Sequence, residues 1–186
     1  MIKTSDIQFV KQCLESYYAH CPQTLPDVPN EMRDGVWEED DWVRWKLIES
    51  RLTEADVLDI ENELPFRLPP LFQAFLVTYH VLDMDFGAFH LPELPSDKPL
   101  EQVRQYLFRT ELWDIGYAQF ASGESGDPVC FDLQAPMPDG EFKVVVINHD
   151  NIPRPADWLH REAIEPHAEQ VANSFRDFFI GLCLRH

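Results

Sequence analysis

Cys130 and His149 are the first residues whose types and placement could do chemistry. They fall on neighbouring hydrophobic runs, "DPVCFDL" and "EFKVVVINH", and a thiol beside an imidazole is the minimum for a nucleophile with its base. The same pair also fits a cysteine used as a small apolar filler and a histidine at a strand end. Ser125 lies in "GESGD", but a nucleophile elbow needs G-x-S-x-G and a helix after the serine, whereas here the glycine spacing is wrong and a strand-like run follows. A phosphate-cradling loop fails on the same stretch, because neither a helix start nor a lysine follows the glycines. "HVLDMDFGAFH" sets Asp83 and Asp85 between His80 and His90, types that can converge on a cation. There is no H-E-x-x-H and the EF-hand pattern is incomplete, so a loop presenting acids to water explains these residues equally.

A different kind of site is suggested by Glu38, Glu39, Asp40 and Asp41, which stand between Trp37 and Trp42. Four like charges in a row serve well as a solvated loop, yet flanking tryptophans are typical of contact surfaces rather than of solubilising segments. Glu124 and Asp127, in the polar stretch "GESGD", are free to line an exposed rim if that stretch is a turn.

The elements that must position these residues follow from periodicity. Ser5 can cap a helix bearing Ile7, Val10, Leu14 and Tyr17 on one stripe, stopped by Pro22, and an irregular proline-broken connector runs to Asn30. "WVRWKLIES" suggests an extended segment. Thr53 with Asp56 forms a capping-box variant for a helix carrying Val57, Ile60 and Leu64, and Pro70 suits the first turn of a second helix with Phe72, Phe75, Leu76 and Tyr79 on its apolar face. "GAFHLPELP" is a short strand or connector, and a helix is expected from about Asp97 to Trp113. "YAQFAS", "DPVCFDL" and "EFKVVVINH" read as an antiparallel meander in which Val129, Phe131 and Leu133 share the covered face, with Cys130 and Asp132 on the open one. Pro166 is expected to open a final helix bearing Val171, Phe175, Phe178, Phe179 and Leu182. Helices flanking a central antiparallel sheet make the expected fold class α+β.

Composition bounds the function. The 15 basic and 33 acidic residues give a formal charge of −18, which would repel both nucleic acid and an anionic membrane, so a basic protein is the natural complement. High acidity also keeps a protein soluble, whatever it binds. The four cysteines form no C-x-x-C pair, no charged-then-apolar leader is visible and no run approaches a membrane span, so a cytoplasmic protein with reduced thiols is expected.

Two stretches, "DIENELPFRLPPLFQAFLVTYH" and "GYAQFASGESGDPVCFDLQAPMPDGEFKVVVINHD", together resemble the SUKH superfamily, which includes fungal cell-wall regulators of the Smi/Knr type and many bacterial immunity proteins. The resemblance falls on the Leu68–Pro69 step, on Phe72, Phe75 and Leu76, on the turn Gly123 to Asp127, and on Phe131, Asp132 and Leu133. The closing "VANSFRDFFIGL" is similar to the family's last helix at Ser174, Phe175 and Phe178. His80 and Val81 stand where the family commonly has Asn-Gly. The resemblance implies a SUKH-like domain over residues 1–186, with 1–36 as an N-terminal helix and connector outside the matching region. It also implies a protein-binding module with no catalytic, cofactor or metal residues. Within that implication the expected function is immunity, with a cognate toxin neutralised and a basic nuclease as one candidate, and the rival is an intracellular regulatory or scaffold protein. A hydrolase built on Cys130 and His149, or on Asp83 and Asp85, is the third reading. The contact candidates are Trp37, Glu38, Glu39, Asp40, Asp41, Trp42, Glu124 and Asp127.

Overall fold

The computed structural model describes residues 1–21, 23–37, 42–84, 86–123, 125–152 and 158–183. Its first helix, α1 (Thr4–His20), buries Val10, Leu14 and Tyr17 on one stripe, as their spacing requires. Ser5 is not its cap: the helix begins one residue earlier, and no side chain caps Lys3 at the N-cap position. The first turn is instead tied down by Arg176, whose Nη2 donates to Asp6 over 2.6 Å.

After the helix, β1 (Thr24–Leu25), β2 (Arg33–Trp37) and β3 (Val43–Trp45) form a small antiparallel sheet with β3 in the middle. The connector expected to be irregular therefore contains one short strand. Trp45 is fully buried and its ring meets Tyr18 of α1 at 5.1 Å, which docks this sheet on the helix. β4 (Ile48–Glu49) then leads to α2 (Glu54–Glu63). The capping box at its start is complete: the Thr53 amide donates to the Asp56 carboxylate, and the Asp56 amide to the Thr53 hydroxyl.

The elbow into α3 (Pro70–Thr78) is organised by a buried carboxylate. Glu61 accepts from the Leu68 amide (2.8 Å), from Gln73 Nε2 (3.1 Å) and from Arg67 Nη1 (2.9 Å), so this buried carboxylate ties the end of α2 to the connecting chain and to α3. Pro70 occupies the first helical turn, where its missing amide costs nothing. β5 (Tyr79–His80) follows and pairs with β4.

The remaining strands make the central sheet. β6 (Phe89–His90) is followed by two helices, α4 (Glu101–Leu107) and α5 (Thr110–Trp113), in place of the one long helix expected. The break at Phe108 lets Trp113 Nε1 donate back to the Leu107 carbonyl over 2.8 Å. β7 (Tyr117–Gly123), β8 (Pro128–Asp132) and β9 (Val144–Ile147) form the meander, α6 (Arg161–Ile164) follows, and β10 (Ala168–Ala172) completes a five-stranded antiparallel sheet in the order β10-β9-β8-β7-β6. The final helix, α7 (Phe175–Cys183), starts nine residues after Pro166. The stretch read as its first turns is β10, paired with β9 from Ala168↔Ile147 to Ala172↔Val144. Apolar spacing alone did not separate the two states; pairing with an otherwise open β9 did. The helix begins where the Ser174 hydroxyl accepts from the Asp177 amide and the buried Glu141 carboxylate accepts from the Phe175 amide, each over 3.0 Å.

The central strands β7, β8 and β9 are covered on both faces, not on one, while β10 is largely exposed. On the first, Phe120 and Phe131 stack at 4.1 Å and meet Phe72 of α3 and Phe175 of α7 edge-on, which makes the main core aromatic. On the second, Cys130, Tyr117, Val145 and Ile147 pack with Leu112 of α5 and Ile164 of α6. A bulge on β7 sets this up: Gln119 pairs with Cys130 and Ala121 with Val129, leaving Phe120 as the extra residue over Phe131.

Candidate functional site

The Cys130 and His149 pair is not assembled. Cys130 is fully buried in the apolar cluster on the second face, and burial pushes its thiol well above the usual range, away from a thiolate at neutral pH. His149 lies four positions beyond Val145, the register partner of Cys130, about 13 Å of extended chain away. Its ring serves another purpose. Nδ1 donates to Asp127 Oδ1 over 2.6 Å and the backbone amide donates to the same oxygen over 2.9 Å.

Of the set from His80 to His90, the described members make structural bonds. His80 is fully buried; its Nδ1 donates to the Leu94 carbonyl and its Nε2 accepts from the Arg51 amide, both at 3.0 Å. That assignment needs the neutral ring, and burial lowers its pKa accordingly. His90 Nδ1 donates to Asp83 at 3.0 Å, and Asp85 lies outside the described residues. Among the described residues no group of three or more His, Cys, Asp or Glu side chains is placed to hold a metal ion.

The "GESGD" stretch turns the chain between β7 and β8. The Gly123 amide donates to the Asp127 carbonyl over 2.7 Å, and Gly126 takes φ +82°, a left-handed conformation that glycine adopts without a Cβ penalty. Ser125 is an exposed member of this turn. Asp127, expected on an open rim, spends one carboxylate oxygen on His149 and so pins the turn to the chain leaving β9. Glu124 lies outside the described residues, as do Glu38, Glu39, Asp40 and Asp41. Of the flanking tryptophans, Trp37 ends β2 and pairs with Val43, and Trp42 is 45% exposed just before β3. Among the described candidates, Trp37 belongs to the three-stranded sheet, whereas Asp127 directly precedes β8 of the five-stranded one.

What remains is electrostatic. Lys11, Arg51, Arg67, Arg104, Arg161 and Arg176 each face a carboxylate. These six cations are held beside carboxylates while Lys3, Lys46 and Lys143 are exposed, and because pairing cancels charges one for one the chain keeps its acidic excess of −18. Arg161 shows how far this goes. Its guanidinium lies over the Tyr117 ring at 4.4 Å, bonds Asp132 at 3.0 Å and is only 14% exposed. Sequence reasoning missed it, since an isolated Arg in a mixed segment carries no local signal. It also missed a hollow bounded by Phe89, Val171, Phe178 and Gly181, because Val171 was assigned to a helix.

These features describe an acidic α+β protein whose central strands are buried on both faces and in which Cys130, His80, His90 and His149 are engaged in packing or structural bonds. The chain belongs to the SMI1 / KNR4 family (SUKH-1), whose family model matches residues 51–181, more than half of its 186 residues. The matched region runs from just before α2 into α7 and holds the whole five-stranded sheet, while α1 and the three-stranded sheet precede it. No curated protein is similar enough to add a relative to that match. The residues that carried the resemblance have a common role: Phe72, Phe75, Phe131 and Phe175 are fully buried neighbours in the aromatic core. Among the described residues no helix is long and apolar enough to cross a membrane.

Proposed function

We propose that this chain is a non-enzymatic, cytoplasmic protein-binding module that neutralises a basic partner, of the immunity type, by covering the partner's own cationic cleft. A nuclease toxin fits this chemistry, since a surface built to hold a polyanion is complementary to one carrying −18. The observation that carries the reading is the formal charge of −18, since ion pairs such as Arg161–Asp132 cancel charges one for one and leave that excess in place. Membership of the SMI1 / KNR4 family supports recognition over catalysis, and the burial of Cys130 supports it further. Trp37, Glu38, Glu39, Asp40, Asp41 and Trp42 are the proposed first contacts, with the acids steering encounter and the tryptophans anchoring it; Glu124 and Asp127 form a secondary rim.

The same family favours a second reading, a regulatory scaffold without a toxin partner. Capture from the native lysate with tagged protein at low and high salt separates them. A basic protein released by salt, and lost when Glu38, Glu39, Asp40 and Asp41 are each replaced by lysine, supports neutralisation. Signalling or cell-envelope components held equally at high salt would support the scaffold and reduce the charge to a solubility device.

A further inference from the structure

A flat sheet of five strands would hold its two edges about 19 Å apart, at ~4.8 Å per step. Here both edges border one hollow of about 400 Å³: Phe89 of β6 on one side, Glu169 and Val171 of β10 on the other, with α7 as the floor. The sheet therefore curls around α7 and stops short of closing. Among the described residues no further strand lies beside β6 or β10, so the edges that border this gap offer backbone groups for pairing.

The floor has a feature the fold does not explain. Gly181 lies inside α7, where glycine costs about 1 kcal/mol relative to alanine, yet nothing stands within 4 Å of where its Cβ would be. The core does not need a glycine there. Its absence of a side chain keeps a depression open beside Phe178 and Val171, the latter 38% exposed. The rim is acidic. Glu169 and Asp177 border the hollow, and among the described residues neither forms an ion pair and no lysine or arginine lines it.

We infer that this gap is the docking site for a short extended segment of a basic protein, with one apolar side chain seated over Gly181 and flanking lysine or arginine side chains meeting Glu169 and Asp177. The bulge between Gln170 and Ala172 limits regular pairing along β10, so the segment is short and its affinity rests on the apolar anchor as much as on strand addition. This deepens the proposed function and rests on its basic-partner reading, while assigning the anchoring to a surface other than the tryptophan-flanked acids.

The test uses the full chain and a fluorescein-labelled peptide alternating lysine and valine, with a lysine–glycine peptide of equal charge as control, followed by fluorescence anisotropy. Gly181→Phe should weaken the lysine–valine peptide about tenfold, as should the lysine–glycine exchange, and Glu169→Gln with Asp177→Asn should weaken it about tenfold at low salt only. Val171→Asn, on an exposed edge, is expected to give a similar loss and serves in place of Gly181→Phe where that variant does not fold. Equal binding by Val171→Asn or by a folded Gly181→Phe, equal binding of the two peptides, or a Gly181-dependent dimer in sedimentation overturns the site. A basic protein captured from lysate equally well by the wild type and Gly181→Phe overturns the groove and leaves protein neutralisation standing. A lysate that yields no basic protein overturns neutralisation, whatever the peptide does.

Discussion

The two faces of the five-stranded sheet are built by different means. One is an aromatic core in which Phe72, Phe120, Phe131 and Phe175 each touch several of the others, so contacts are shared and α3 and α7 are held by the same rings. The other is a smaller cluster under two four-residue helices, α5 and α6, and it is closed by an ion pair: Arg161 reaches Asp132 and the carbonyls of Ile115 and Gly116. The first face draws on apolar area and ring geometry; the second depends on one charged side chain finding all its partners. Gly116 marks the tightness of that arrangement, since a Cβ there would stand 2.8 Å from Gln134 Cγ and 3.1 Å from Arg161 Nη1.

Substitutions can break or sharpen this contrast. Phe120→Ala should cost the most, about 3–5 kcal/mol in chemical unfolding, because it removes a stacked partner and leaves a cavity that the surrounding rings cannot fill. Arg161→Met should cost about 3 kcal/mol, the loss coming from a nearly buried Asp132 carboxylate left alone rather than from lost apolar area. Pairing it with Asp132→Leu should recover part of that loss; no recovery would mean that stacking on Tyr117, and not the ion pair, closes the second face. Cys130→Ser should cost about 1–2 kcal/mol through a hydroxyl placed among Ile147, Val145 and Leu112, and in the native protein Cys130 should resist alkylation until unfolding. A larger loss for Arg161→Met than for Phe120→Ala would invert the comparison.

The smallest effect comes from the polar ring on the aromatic side. His80 has its pKa lowered by burial, so in the acidic range below about 6.5 the unfolded chain binds a proton that the folded chain does not. Stability should therefore fall as pH drops from 6.5 toward the folded pKa and then level off. His80→Phe, although less stable at neutral pH, should show a shallower fall across that window when unfolding is followed at several pH values. An identical slope in both proteins would place the titration elsewhere.

Much of the fold was legible because local physics agreed with the final structure. The capping box at Thr53 and Asp56, Pro70 at a helix start, the stripe of Val10, Leu14 and Tyr17 and the three meander strands all follow from residues within a few positions of one another. The candidate site was harder to read. Cys130 and His149 sat on adjacent runs, but distance along a strand separated them, and Asp127 and His149 met instead through 22 positions of sequence. The stretch Ala168–Ala172 carried spacing compatible with a helix and became a strand because β9 lacked a partner on that side.

By itself the sequence determined an acidic α+β chain with an aromatic core, because charge, turn chemistry and apolar periodicity are properties of short segments. Its matches to the SUKH pattern were legible for the same reason, since several of them, Phe72, Phe75, Phe131 and Phe175, fill that core. Only the tertiary structure decided that the central strands are buried on both faces, that Arg161 closes the second one, and that β6 and β10 come to border the same gap. Each of these depends on contacts between residues far apart in the chain, where the loop between them carries no record of the contact and the balance of burial, charge pairing and sheet curl is struck only once all the elements are in place.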